Sequence, residues 1–161
     1  MLTEASQAEI GTLAVTNLMS KPVLFVSGEI VFGGFQDRMV TDSVLAPPGQ
    51  SLLGVACVES GRWAGAVDFD RHTGLGPRQL RSNGSTSASA ATVSQAVVWH
   101  AVEKILAETN TPHPTGSIRA VVDHADGGCV PMLSIRPLPG QCGVAVGRGA
   151  AVLGVEVFHV A

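Results

Sequence analysis

Five polar side chains and one indole flank three short apolar runs. Glu29, Gln36 and Arg38 lie between the first run and the second, and Glu59, Arg62 and Trp63 follow the third. A carboxylate raised in pKa by burial or a like charge serves as general acid or base. That makes Glu29 and Glu59 the candidate catalytic residues. A guanidinium clamps an anion through two parallel N–H groups and stabilises developing negative charge. Arg38 and Arg62 are therefore candidate ligand-binding residues, with Gln36 as a polar contact and Trp63 as a stacking surface. The same residues admit a plainer arrangement: Glu29–Arg38 and Glu59–Arg62 ion pairs that hold turns, since structural pairs also bury charge at strand ends.

A second cluster is RHTGLGPRQLR, residues 71–81, with Arg71, His72, Arg78 and Arg81 and no acid. Its glycines let backbone N–H groups approach a phosphate, and Arg78 would supply the fork. A solvated loop is the alternative. Other motifs fail. Gly147-Arg148-Gly149 begins a dinucleotide fingerprint, but Val152 stands where the last glycine belongs and a strand follows instead of a helix. No GxSxG elbow occurs. His124 and Cys129 have no metal-site spacing, so no metal is assigned and the cofactor is left unknown.

Composition narrows the function classes. The chain has 161 residues and a formal net charge of -3; 45% are hydrophobic and 14% charged. That suits a compact domain and excludes a disordered chain. Weak acidity, two Trp, five Phe and no Tyr argue against a nucleic-acid partner. No apolar run nears the roughly 20 residues of a membrane span, and the polar start is no signal peptide. Three cysteines without a CxxC spacing suggest free thiols in a reducing cytoplasm, with Cys57 a small buried hydrophobe.

The elements that must position the candidate residues follow from periodicity. Residues 1–11 read as a loose cap. Residues 13–18 read as a modest strand, and 23–26 as a strand buried on both faces. Residues 29–37 read as a turn around Gly33-Gly34, 38–46 as a second strand and 51–58 as a third. Residues 64–90 read as a long polar loop. A helix follows, opened by a Thr92/Gln95 capping box and closed near Thr109, with a stripe of Val98, Val102, Ile105 and Leu106. Residues 118–123 read as a strand or turn, 129–136 as a strand, and the end as a hairpin with Leu153 and Val155 on one face. An antiparallel meander of 23–26, 38–46 and 51–58 gathers Glu29, Gln36, Arg38, Glu59, Arg62 and Trp63 at one sheet edge. The expected fold is one α+β domain, with mostly antiparallel, sandwich-like sheets and one long amphipathic helix.

The segments GEIVFGGFQDR (28–38), SVLAPPG (43–49) and ACVESGRW (56–63), the Gln95/Trp99 helix and the closing GVEVFHV (154–160) occur in that order. In this the chain resembles the bacterial ARG and rhodanese-phosphatase-superfamily-associated protein domain family, where ARG is ADP-ribosylglycohydrolase. The resemblance covers about residues 10–160 and implies an upstream segment. It marks Glu29, Gln36, Arg38, Cys57, Glu59, Arg62 and Trp63 as motif positions, with Asp37 where many members have Asn. By association it implies a ligand like a nucleotide or ADP-ribose, near NAD metabolism. Two functions are therefore expected. One is a pocket that binds or processes a small phosphosugar. The other is a non-catalytic, homo-oligomerising module beside a partner enzyme.

Overall fold

A computed structural model describes residues 1–84, 94–126 and 138–157. Met1–Gly128 forms one compact unit and Cys129–Ala161 a second. The first unit is built on a six-stranded antiparallel sheet, ordered β1-β2-β7-β5-β4-β8. Its strands are β1 (Leu2–Glu9), β2 (Thr12–Asn17), β4 (Glu29–Gly33), β5 (Arg38–Val40), β7 (Gly49–Cys57) and β8 (Phe69–Leu75). Strands β3 (Val23–Phe25) and β6 (Val44–Ala46) pair separately. The main sheet curls into a half barrel where a sandwich was expected. The Glu4 amide donates to the Val67 carbonyl at 2.8 Å, and Thr3 bridges Asp68, so the first strand meets the chain leading into β8.

Period-two alternation sorts side chains to the two faces. Ile30, Phe32, Met39, Ala56 and Val58 form one core with Leu80 of α1 (Arg78–Gly84), Ile118, and Val98, Val102 and Ile105 of α2 (Gln95–Glu108). Val31, Val40, Val55, Leu13 and Val15 form the other core, with Phe25, Val44 and Phe69 packed against it. Arg38 shares the register parity of Val40. It therefore points to the face opposite the helices, where it is fully buried.

Several expectations are corrected. Residues 1–11 are not a loose cap, because β1 pairs with β2 from Leu2 to Glu9. Residues 29–37 are not simply a turn. Ile30, Val31 and Phe32 are all buried, which makes β4 a central strand. Only the end of that segment turns: Gly34 has φ +56°, and a Cβ there would lie 2.3 Å from the Phe69 ring. Strand 38–46 breaks into β5 and β6. Among the described residues strand β3 pairs only with β6, and Leu24 is 56% exposed, so β3 is not buried on both faces. The stretch 64–90 holds β8 and α1. Residues from 119 form α3 (Arg119–Asp126) instead of a strand or turn, so the described residues hold three helices, not one.

Helix α2 ends at Thr109 and buries Val98, Val102 and Ile105, as the spacing predicts. Its start differs. Ser94 is the N-cap, without a side-chain capping bond, and the Gln95 amide does other work. It accepts from the Cys57 amide at 2.8 Å and donates to the Cys57 carbonyl at 2.7 Å, in place of a strand neighbour beyond the start of β2. Thr92 and the 129–136 strand lie outside the described residues. In the second unit β9 (Gly143–Arg148) and β10 (Ala151–Val157) form the expected hairpin, turning at Gly149 with φ +61°. Among the described residues no helix is long and apolar enough to cross a membrane.

Candidate functional site

Strands β5 and β7 bring most of the candidate residues together. Arg38 pairs in register with Cys57, so Gln36 at the entry to β5 meets Glu59 just past the end of β7. The Gln36 side-chain amide donates to the Glu59 carbonyl at 2.9 Å and accepts from Arg38 Nη1 at 3.2 Å. Trp63, 48% exposed, lies against Arg38 with 5.4 Å between the guanidinium and the ring centroid.

Two candidates sit elsewhere. Glu29 opens β4, whose Ile30 and Val31 pair with Met39 and Arg38, so Glu29 lies towards Val40, at the far end of this ladder. Its Oε2 accepts from the Val26 amide at 2.9 Å, and the expected Glu29–Arg38 pair does not form. Arg38 instead pairs with Glu4 at 3.5 Å. Arg78 lines a separate groove between α1 and α2 with His100 and Lys104.

Glu59 is a hub. Its two oxygens receive Arg62 Nε at 3.0 and 3.1 Å and Nη2 at 2.7 Å. They also receive the Asp37 amide at 3.0 Å and the Thr115 hydroxyl. Burial pushes the Glu59 carboxyl up. The hydrogen bonds from Arg62, Thr115 and the Asp37 amide outweigh it and hold the group below the usual carboxylate range. A general acid or base needs the opposite, a pKa raised towards neutrality. Arg62 is equally committed. Besides Glu59 it donates to the carbonyls of Gly34 at 2.7 Å, Ala64 at 2.8 Å and Gly33 at 3.2 Å. All its N–H directions are thus used, and none is left to fork an anion.

The pattern extends through residues the motif reading passed over. Asp37, 1% exposed, accepts from the Gly33 amide at 3.1 Å, the Ser117 hydroxyl at 2.6 Å and Arg119 Nη2 at 3.0 Å. Arg119 also stacks 4.3 Å from the Phe32 ring. Thr115 and Ser117 thereby dock the 113–118 segment onto two carboxylates. The Gly61 amide to Thr115 carbonyl bond (2.8 Å) and the Ile118 amide to Val58 carbonyl bond (3.0 Å) carry the sheet past the end of β7. His113 Nδ1 lies 3.1 Å from the Thr115 hydroxyl. Three carboxylates (Glu4, Asp37, Glu59) thus face three guanidiniums (Arg38, Arg62, Arg119), and the formal charges cancel. Asp37 was legible beside Gln36 and Arg38. Glu4, Thr115, Ser117 and Arg119 carry no local signal, because only tertiary pairing brings them here.

The network opens onto two adjoining grooves. One, about 400 Å³, is lined by Gln36, Ser60, Arg62, Trp63 and Trp99. The other, about 710 Å³, shares Ser60 and Trp99 and adds His100, Glu103 and His113. Among the described residues no three His, Cys, Asp or Glu side chains group to hold a metal ion.

Two outcomes follow from these environments. A carboxyl with a depressed folded-state pKa contributes stability above its unfolded pKa and loses it as pH falls through the folded value. Glu59→Gln is therefore expected to flatten the acid limb of the stability–pH curve below about pH 4.3, the ordinary glutamate value; urea midpoints from pH 2 to 7 measure this. Cys57 is fully buried, and that burial pushes its thiol up to about 11. A thiol-specific aromatic disulfide should therefore label exposed Cys142 in the native protein and leave Cys57 unlabelled until unfolding, read by peptide mass.

A curled antiparallel sheet backed by helices, with its polar edge closed by ion pairs, defines an α+β domain. The chain belongs to the ARG and Rhodanese-Phosphatase-superfamily-associated Protein domain family, whose pattern matches residues 2–161. No curated relative and no solved structure matches it.

Proposed function

We propose that the chain is a non-catalytic accessory module that acts by association, with further copies of itself and with a partner enzyme of the kind its family name records. The observation that carries this reading is the closed network: Glu59 and Arg62, the best-placed catalytic pair, spend their hydrogen-bonding capacity on each other and on the backbone. An exposed apolar pair supports it. Leu24 and Leu45 stand directly opposite each other on β3 and β6, 56% and 65% exposed. Such adjacent apolar side chains on a strand surface suit a protein contact. A bacterial cytoplasmic setting belongs to the same proposal. Processing of a nucleotide or ADP-ribose-like phosphosugar at this edge is the weaker reading. It would need free guanidinium edges, and Arg38 is buried while Arg62 is saturated.

Sedimentation velocity tests the proposal, with the chain alone and mixed with an ADP-ribosylglycohydrolase domain. Self-association or a mixed complex, weakened in Leu24→Ser/Leu45→Ser, is the expected result. A monomer under both conditions that hydrolyses ADP-ribose or NAD, with turnover lost in Glu59→Gln, would overturn it.

A further inference from the structure

A further cavity lies on the face of the sheet opposite the helices, the face that also buries Arg38 and Glu4. It measures about 450 Å³ and sits among β1, β2, β3, β4 and β8. Val15 and Val31, each 3% exposed, line it with Phe25 and Phe69. Among the described residues no charged side chain lines it. Its one amide side chain, Asn17, is already satisfied: Nδ2 donates to the Lys21 and Ala46 carbonyls at 2.9 and 3.2 Å, and Oδ1 accepts from the Met19 amide at 3.0 Å. Water in such a space finds few partners. An apolar cavity of only ~150 Å³ already stays dry and takes up benzene. Around the cavity stand Leu18, 87% exposed, and Met19, 65% exposed. Exposed large apolar side chains cost little when a ligand covers them, and an unbranched methionine adapts to varied shapes.

We infer that this half-barrel cavity is a binding site for a small uncharged apolar molecule, an alkyl chain or a fused aromatic ring of matching size. Shape and burial select the ligand: among the described residues no charged side chain lines the site, and the Met1 ammonium beside it donates to the Thr16 carbonyl at 2.8 Å. The volume lies in the ~300–1,000 Å³ range of small-molecule sites. The site is independent of the association proposed above.

The probe is N-phenyl-1-naphthylamine, an uncharged fluorophore, titrated into the intact chain and then displaced by 1-octanol or by naphthalene. Saturable 1:1 enhancement is expected. Octanol displacing better than naphthalene identifies an alkyl ligand, and the reverse identifies a ring. Leu18→Ser and Met19→Ser, both at exposed positions that leave the core intact, should each weaken binding by roughly five- to tenfold through lost apolar contact. Leu52→Ser, at a 68% exposed site outside the cavity lining, should not change it. Non-saturating enhancement, equal effects of all three substitutions, or no enhancement from a chain with unchanged thermal unfolding would overturn the inference.

Discussion

Glu59→Ala is expected to destabilise the fold by about 3–5 kcal/mol, the range for removing one partner of a buried ion pair. For a chain of this size that lowers Tm by about 10 °C. The size of the effect comes from what is stranded. Arg62 keeps its charge between the Gly33 and Gly34 carbonyls with only Asp37, 3.5 Å away and shared with Arg119, to balance it. The Asp37 amide and the Thr115 hydroxyl lose their acceptor in the same step. Because Thr115 fixes the 113–118 segment to the end of β7, the loss spreads beyond one contact. Glu59→Gln retains shape and one acceptor oxygen, so it should fall between wild type and alanine. Thermal and urea unfolding of the three proteins decide it. An alanine variant as stable as wild type would mean the hub contributes nothing net.

The second large effect is a coupling. Arg38 is fully buried against Glu4, at 7% exposure, yet Arg38 Nε and Glu4 Oε2 have no hydrogen-bond partner among the described residues. A pair so incompletely satisfied recovers little of its desolvation cost. Arg38→Met alone strands Glu4 and should cost about 3–5 kcal/mol. Glu4→Gln alone keeps an acceptor for the Phe35 amide, which now bonds Oε1 at 2.7 Å, but it leaves Arg38 unbalanced. The double variant removes both charges and should be more stable than Arg38→Met, with a coupling of about 1–3 kcal/mol. Additive single effects in a urea double-mutant cycle would show that the two side chains do not act as a pair.

Periodicity made some of this legible. The α2 stripe, the β7 run and the closing hairpin all read correctly, because each is long enough for its period to show. The meeting of Gln36 and Arg38 with Glu59, Arg62 and Trp63 also followed, since it needs only antiparallel pairing of β5 with β7. Strand β4 was hidden because Gly33-Gly34 signals a turn, and the turn begins only after three buried residues. Strand β1 was hidden because TEASQAE is polar, and its pairing with β2 overrides that composition. Glu29 was misplaced for the same reason: a turn at 29–37 would have brought it beside Arg38, whereas a strand there carries it away. The roles of Glu59 and Arg62 depend on Thr115, Ser117 and Asp37, whose approach spans up to 80 residues of sequence.

The ionisation of Glu59 separates a structural hub from a proton-transfer group most directly. Carbon-detected NMR titration of its side-chain carboxyl, assigned by Glu59→Gln, gives the midpoint. A value below the ordinary glutamate range of about 4.3 is expected from a carboxylate held by Arg62, Thr115 and the Asp37 amide. A midpoint raised to about 6 or above would mark a poised acid or base and contradict the assignment of this edge as a joint of the fold.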